Sequence, residues 1–403
     1  MIFRDRSLSN PERAFLICVG FLLSWKLLRL IYPSPYTWDI HNYAIVLIGL
    51  LSIAISLKHN LYLNVSKTSF VVLLFLSLSV ARFSFFSSID AFTICSLVFA
   101  SYFFLLGWVM KNGSHLAFRY FEFLLLILFL LNLLDFVDAN TEIINFISYE
   151  IPAFKSGTMN PLGHTSQFIW SDSQREGVVI RSVGVAGTNY ASSALNAATC
   201  VYAFIMKKRI FFISSLVLLV LWGVGSSIAA AFIAIFIYKA RSGWLPIYLI
   251  CGVLGLIMVF DSRGFDADQF LAIRINMGAA EFLLSLILGE GKSVSSISTE
   301  LRFIGLFFSL GAIGCLLFLV MLLNYFKYSK NHSYFSEGDN FKAGLFFVAV
   351  LLISTLHYNT LFVFPNLFFV VALIAFASAG FATIKKNKNG RTQGDFTRTI
   401  QSP

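Results

Sequence analysis

The stretch Arg181–Ala194 reads RSVGVAGTNYASSA and joins a polar, glycine-containing loop to the start of a hydrophobic helix. The guanidinium group of Arg181 can bind an oxyanion through two nitrogens. Gly184 and Gly187 allow the backbone to approach a ligand closely, because glycine has no side chain. This stretch therefore predicts a binding site for an anion.

The helix that follows this loop is predicted to begin near Thr188 or Asn189, and either side chain can cap it. The first N–H groups of a helix have no acceptor inside the helix and carry a partial positive charge, so they would add to the site. The alternative interpretation is an ordinary loop-to-helix junction with a surface arginine.

Composition assigns the chain to the membrane proteins. Hydrophobic residues make up 58% of its 403 residues, charged residues 12%, and phenylalanine occurs 45 times. No soluble core of that size could hide so much apolar surface, so we expect an all-α polytopic protein with one integral membrane domain over residues 1–403. The five cysteines lie in apolar segments and are interpreted as packing residues.

Apolar segments of about 20 residues, some of them shorter, predict about twelve transmembrane helices. The predicted spans are Arg13–Tyr32, Asn42–Leu57, Ser69–Phe86, Ala91–Met110, His115–Phe136, Thr188–Met206, Arg209–Gly223, Gly225–Lys239, Gly243–Phe260, Leu301–Phe326, Ala343–Tyr358 and Phe364–Ile384.

Basic residues predict the orientation of these spans. With a cytoplasmic N-terminus, every inner loop carries lysine or arginine, so the net charge of +10 reflects topology rather than nucleic-acid binding. Both termini, including a basic tail over 385–403, are then cytoplasmic. The basic residues on the outer side lie in or beside two long loops, residues 137–187 and 261–300, and loops of this length are usually functional. Short amphipathic helices are expected in the first loop.

The second long loop is predicted to contain a helix from Phe270 to Leu288, capped by Asp266 or Asp268 and ended by the glycines at 289 and 291. Steps of four, three and four residues give this helix one polar stripe. The stripe consists of Arg274, Gly278, Glu281 and Ser285.

Arg274 and Arg181 are predicted to form a joint phosphate site, since each lies in a long outer loop beside a helix boundary. Arg274 could instead pair with Glu281 or Asp268. Glu300 is a candidate general base, and its alternative role is to complement the dipole of the next helix.

Three further cations, Lys26, Arg29 and Arg82, lie in the outer halves of predicted spans. They could attract an anionic lipid head group in the outer leaflet, or simply extend to the interface. Asp135, Asp138 and Asp172 are available on the same side as counter-charges or bases.

Neither a metal site nor a cofactor is expected. His164 and His357 are lone histidines without ligand spacing to another His, Cys or acid. The sequence lacks a P-loop and a dinucleotide-binding glycine motif, which excludes an ATP-driven pump.

The segment from Arg181 to Ala191 resembles the arginine–glycine–asparagine motif of the Wzy-type O-antigen polymerase and O-antigen ligase superfamily, with Thr188 in place of the usual proline. Arg274, the Gly289–Glu290–Gly291 stretch and the segment from Ser298 to Gly311 resemble that family's second outer loop and the helix after it. The layout of spans and loops is similar over nearly the whole chain.

The resemblance implies a GT-C-like fold and a metal-independent glycosyltransferase of the bacterial inner membrane, with both long loops in the periplasm. It implies that Arg181 and Arg274 bind the diphosphate of an undecaprenyl-diphosphate-linked glycan, and that Glu300 or Asp172 assists the acceptor hydroxyl. The expected substrate-binding residues are Gly184, Gly187, Asn189, Lys26, Arg29, Arg82 and Arg302.

Polymerisation of lipid-linked repeat units into O-antigen or a related surface polysaccharide is the expected reaction. Ligases of this family typically carry a histidine just before the span that begins here at Leu301, whereas this chain has Ser298, Thr299 and Glu300. An O-antigen ligase, a lipid-linked oligosaccharide flippase or transporter, and a non-catalytic scaffold are the alternatives. The expected partners are the lipid-linked donor and acceptor and membrane lipid, with a chain-length regulator and a flippase as further candidates.

Overall fold

A computed structural model describes residues 45, 47–52, 54, 67–86, 91–141, 168–169, 180–181, 184–186, 189–239, 274–275, 278–289, 297–298, 302–332, 338–356 and 360–379. Beyond the helical residues between 45 and 54, these residues form ten helices and four short strands. The helices are α1 Lys67–Phe86, α2 Ala91–Asn112, α3 Ser114–Thr141, α4 Asn189–Ile205, α5 Arg209–Trp222, α6 Gly225–Lys239, α7 Ala279–Leu288, α8 Arg302–His332, α9 Gly338–Ser354 and α10 Asn366–Ala379. The strands are β1 Phe168–Ile169, β2 Ile180–Arg181, β3 Arg274–Ile275 and β4 Ile297–Ser298.

The described helices follow the apolar segments of the sequence. The closely spaced pair predicted over Arg209–Lys239 is present as α5 and α6, because Gly223 adopts a left-handed conformation at φ 60° and closes α5. The predicted spans Arg13–Tyr32 and Gly243–Phe260 lie outside the described residues. The total of twelve spans therefore stays a prediction.

Two helical segments, Ser114–Val137 and Leu310–Ser329, are long and apolar enough to cross a membrane. Four shorter apolar helices lie among the described residues as well. Large apolar side chains are exposed on several of these helices, for example Ile210, Val80 and Leu316 at 84%, 68% and 60% exposure. Exposed apolar surface of this extent indicates contact with lipid or another protein, so the structure supports membrane association.

The core of the described part forms around α4, which contacts α3, α5, α6 and α9. The sequence of α4, NYASSALNAATCVYAFI, is rich in alanine and serine. Small side chains let neighbouring helices approach closely, which explains how one helix can contact four others. Residues 366–379 of α10 are all buried, and the Phe376 ring lies 5.4 Å from Phe118 and 6.4 Å from Phe121 of α3.

Contacts between the helices define two ends of the bundle. At the first end, Tyr202 near the end of α4 meets Glu122 in the first half of α3, and Lys239 at the end of α6 lies over the Phe204 ring. At the second end, Asn366 at the start of α10 binds Ala191 at the start of α4. We call these the 202 end and the 366 end.

Lysine and arginine are distributed unequally between these ends. Among the described residues, every lysine lies toward the 202 end, in the turns there or in the adjoining helix segments, together with Arg119 and Arg209. The remaining described cations are arginines, and their backbones belong to elements at the 366 end. They are Arg82, Arg181, Arg274 and Arg302.

The helix predicted over Phe270–Leu288 begins later in the structure than the sequence pattern predicts. Arg274 lies in β3, while α7 begins only after Gly278, whose extended backbone at φ −69° and ψ 158° precedes the first helical residue. Arg274 and Glu281 therefore do not share a helical stripe, and Asp266 and Asp268 do not cap this helix. The predicted end is correct, since α7 stops at Leu288 and the Gly289 N–H donates to Ser285 O.

Helix α8 bends at Gly311, which has a non-helical backbone at φ 67° and ψ 169°. A Cβ at this position would collide with the backbone of Ile287, Leu288 and Gly289 at the end of α7. The missing side chain lets the two helices meet backbone to backbone. The second long loop is thus anchored to the bundle at Gly311.

Candidate functional site

The loop before α4 is held by three side chains from two helices. Successive backbone N–H groups of this loop each donate to a buried polar side chain of α3 or α4. The bonds run from Gly184 N to Asp135 Oδ2 at 2.8 Å, from Val185 N to Asn132 Oδ1 at 2.8 Å, and from Ala186 N to Ser192 Oγ at 2.9 Å. We call this arrangement the loop clamp.

The spacing of two polar residues along α3 explains the geometry of the clamp. Asn132 and Asp135 are three residues apart, so they lie on the same face of the helix and can bind neighbouring N–H groups. Both side chains are buried. A buried N–H group without an acceptor costs about 1–3 kcal/mol, so these two hydrogen bonds offset a cost that would otherwise oppose burial of the loop.

Gly184 is required by both conformation and space. Its φ of 69° falls in the left-handed region that side chains disfavour. A Cβ would collide with the Ser192 side chain and stand 2.8 Å from Asn132 Oδ1. The Gly184 N–H is bound to Asp135, so it is not free for an anion. The close backbone approach that was expected toward a ligand is here made toward α3 and α4.

Arg181 lies three positions before the clamp, in strand β2. This strand pairs antiparallel with β1, so that Phe168 and Arg181 are opposite each other, and β2 packs against α3. Strand pairing on one side and the clamp on the other fix the backbone of Arg181 relative to the bundle.

Arg274 occupies an equivalent setting in the other long loop. Strand β3 pairs antiparallel with β4, and Arg274 lies opposite Ser298. Strand β4 packs against α8 and is followed closely by it. Ser298 belongs to strand β4, and α8 begins at Arg302.

The two arginines belong to the same end of the bundle. The β1–β2 pair precedes the start of α4, which is at the 366 end. The C-terminal part of α8 lies at the 202 end, because Tyr325 Oη would stand 3.1 Å from a Cβ at Gly344 near the start of α9. The start of α8 and the β3–β4 pair beside it therefore lie toward the 366 end. The structure thus brings the two strand pairs to the same end of the described bundle.

The other predicted site residues are distributed as follows. Asn189 is the first residue of α4, Arg302 is the first residue of α8, and Arg82 belongs to the last turns of α1 at the 366 end. Lys26, Arg29, Asp172, Gly187 and Glu300 lie outside the described residues.

Sequence reasoning missed three polar residues that organise this end. Asn132 and Ser192 belong to the clamp, and the Asn366 side-chain amide donates to Ala191 O at 3.0 Å and to Thr360 O at 2.6 Å. Asn366 thereby connects the start of α10 to the start of α4. The available signal was an isolated amide within an apolar segment, since a polar group inside a membrane helix is retained for a partner.

Comparison with protein-family models, with curated proteins and with solved structures gives no match to this chain. Within the part of the chain that the structure describes, no three His, Cys, Asp or Glu side chains come together that could hold a metal ion.

Proposed function

We propose that this chain polymerises oligosaccharide repeat units carried on undecaprenyl diphosphate, at the periplasmic face of the bacterial inner membrane. In this reaction a growing glycan is transferred from one lipid diphosphate to the terminal hydroxyl of another lipid-linked unit. The product is O-antigen or a related surface polysaccharide. The enzyme acts as a metal-independent glycosyltransferase that spans the membrane about twelve times.

One observation carries the proposal. Arg181 and Arg274 lie in different long loops, each in a short antiparallel strand pair, and both pairs lie at the same end of the bundle. Glycosyl transfer from a diphosphate leaves negative charge on the departing phosphate. Positively charged donors fixed in advance stabilise such charge best, because they need no reorganisation during the reaction.

The loop clamp supports the same role for Arg181. A guanidinium group on an unrestrained loop would lose conformational freedom each time it bound a diphosphate. The hydrogen bonds to Asp135 and Asn132 hold the loop in place before substrate arrives. The N–H groups at the start of α4, from Asn189 onward, then provide the second support for the anion.

The unequal distribution of cations supports the orientation. Lysine-rich turns favour the cytoplasm, so the 202 end would be cytoplasmic and the 366 end periplasmic. Arginines without lysines at the other end are not needed for topology. Arginine binds phosphate with two parallel hydrogen bonds, which suits a diphosphate carrier lipid.

The test uses a polysaccharide-producing strain that lacks the gene and expresses variants of the full chain. Arg181→Ala and Arg274→Ala should each lower long-chain polymer by at least about 100-fold, as expected for loss of a transition-state donor. Arg119→Ala is the matched control, since Arg119 is exposed at the 202 end and should leave the ladder unchanged. Membrane immunoblots establish equal expression.

Gel display of the polysaccharide distinguishes the alternatives. A single repeat unit attached to the lipid A core in the deletion strain supports polymerase, whereas complete loss of attached repeats indicates a ligase or a flippase. Normal chain-length ladders from stably expressed Arg181→Ala and Arg274→Ala variants would overturn the roles of both arginines.

A further inference from the structure

An open cleft of about 800 Å³ runs between α3 and α5, beginning at the 202 end. Its walls along most of its length are apolar side chains of the two helices. The residues are Leu126, Phe129, Leu130 and Leu133 of α3, and Ile210 and Phe211 of α5. Leu126, Leu130 and Ile210 are exposed, so the apolar walls lie open at the surface of the bundle.

One end of this cleft is cationic. Lys207, Lys208 and Arg209 form its rim in the turn between α4 and α5. Lys208 binds Glu122 at 2.6 Å, whereas Lys207 and Arg209 have no acidic partner among the described residues. The rim therefore keeps a net positive charge beside an apolar groove.

Lys207 adopts a backbone conformation that glycine usually occupies. Helix α4 ends with Lys208 N donating to Ala203 O at 2.9 Å and Lys207 N donating to Phe204 O at 3.1 Å, the pair of bonds that defines a Schellman turn. Lys207 occupies the left-handed position of that turn at φ 58°, and it is the only non-glycine residue with positive φ in the described part of the chain. Glycine is the usual residue at this position because side chains are strained there.

We infer that this cleft binds an anionic glycerophospholipid of the membrane, with its phosphate at Lys207 and Arg209 and an acyl chain along Leu126, Leu130 and Ile210. The occupant follows from charge complementarity. The cationic rim matches the phosphate head group of such a lipid, and the adjoining apolar groove matches an acyl chain. The start of α5 adds unbonded N–H groups, since Lys208 at its N-cap makes no side-chain cap. The site lies at the end opposite to Arg181 and Arg274, so it does not depend on the proposed reaction.

The experiment measures lipid binding to the purified full-length protein by native mass spectrometry. The probe is palmitoyl-oleoyl phosphatidylglycerol, compared with phosphatidylcholine that carries the same acyl chains. Each surface cation contributes about fivefold to the affinity for an anionic head group. The Lys207→Gln/Arg209→Gln variant should therefore bind phosphatidylglycerol about 25-fold more weakly, with phosphatidylcholine binding unchanged.

Matched controls separate the cleft from general surface charge. The Lys67→Gln/Lys342→Gln variant removes two exposed cations from the same end that do not line the cleft, and it should retain full phosphatidylglycerol binding. Leu130→Trp fills the groove while leaving the cations in place, and it should reduce binding of the first phosphatidylglycerol molecule. Equal losses in the two double variants, or unchanged binding by Leu130→Trp, would overturn the proposal.

Lys207→Gly distinguishes a lipid site from a structural turn. Glycine suits the left-handed position, so this variant should melt about 1–2 °C higher than the wild type. It should nevertheless bind phosphatidylglycerol about fivefold more weakly. A stabilised variant with undiminished binding would remove Lys207 from the site.

Discussion

Gly184 and Asp135 are 49 positions apart in the sequence, yet the N–H of Gly184 donates to the carboxylate of Asp135 at 2.8 Å. This bond connects the loop that carries Arg181 to the C-terminal part of α3. The sequence offers Asp135 as a counter-charge or base, and in the structure its carboxylate holds this loop.

Two replacements of Asp135 should distinguish the effect of its hydrogen bond to Gly184 from the effect of its negative charge. Asp135→Ala leaves a buried N–H without its acceptor and should destabilise the protein by about 1–3 kcal/mol. Asp135→Asn keeps an acceptor oxygen and should lie nearer to the wild type. Thermal unfolding in detergent measures both, with Asp339→Ala as the control, since Asp339 is exposed at the start of α9. Equal stability of Asp135→Ala and the control would contradict the importance of this bond.

Alanine variants of three glycines separate backbone strain from steric collision at the loop clamp. Gly184 and Gly113 both have positive φ, but only at Gly184 would a Cβ also meet other atoms. Gly113→Ala should cost about 1 kcal/mol from backbone strain alone, and Gly184→Ala should cost more because collision adds to strain. Gly225→Ala, which has neither problem, should be neutral or slightly stabilising. Chemical or thermal unfolding of the three variants gives the order, and a reversed order would refute it.

The bend of α8 predicts a strong effect at Gly311. Gly311→Ala places a methyl group against the backbone at the end of α7, which cannot move as a flexible side chain can. Under the proposed function, the variant should lose long-chain polymer even where membrane levels stay normal, because α7 and the Arg274 strand belong to the same loop. Gly113→Ala is the control for positive φ without this contact. Wild-type ladders from Gly311→Ala would show that the contact between α7 and α8 is dispensable.

Glu122 is predicted to limit the charge available at the lipid cleft. Glu122→Gln removes the anionic partner of Lys208 while keeping an acceptor for Tyr202 Oη, which donates to Glu122 Oε1 at 3.3 Å. The unfolding free energy should change by less than about 1 kcal/mol, because the ion pair is partly exposed. Phosphatidylglycerol binding should rise by up to about fivefold. Unchanged or weaker binding in native mass spectra would argue against Lys208 as part of the rim.

Helix positions could be predicted from this sequence because each depends on local composition. The run from Ile210 to Trp222 is apolar except for Ser214 and Ser215, and Gly223 then ends it through a conformation that only glycine adopts easily. Helix α6 begins two residues later at Gly225, as predicted. Such signals need no knowledge of the rest of the chain.

The long loops could not be predicted in the same way. Periodicity extended α7 back to Phe270, but Arg274 pairs with Ser298, a residue 24 positions later, and this pairing overrides the helical pattern. The partners of Gly184 and Val185 are still more distant in sequence, at 49 and 53 positions. A polar residue in an apolar helix, such as Asn132, indicates that a hydrogen-bond partner exists but does not identify it.

The hairpin of α5 and α6 has one further consequence for the surrounding bilayer. Helices of 14 and 15 residues rise about 21 and 22 Å, which is roughly 8 Å less than a typical hydrocarbon core of about 30 Å. As a membrane-crossing hairpin, it would draw the two lipid leaflets together beside it, and this hydrophobic mismatch carries an elastic cost that grows with acyl length. Reconstitution in shorter-chain lipids should relieve that cost, so the stability of such a hairpin would depend on membrane thickness.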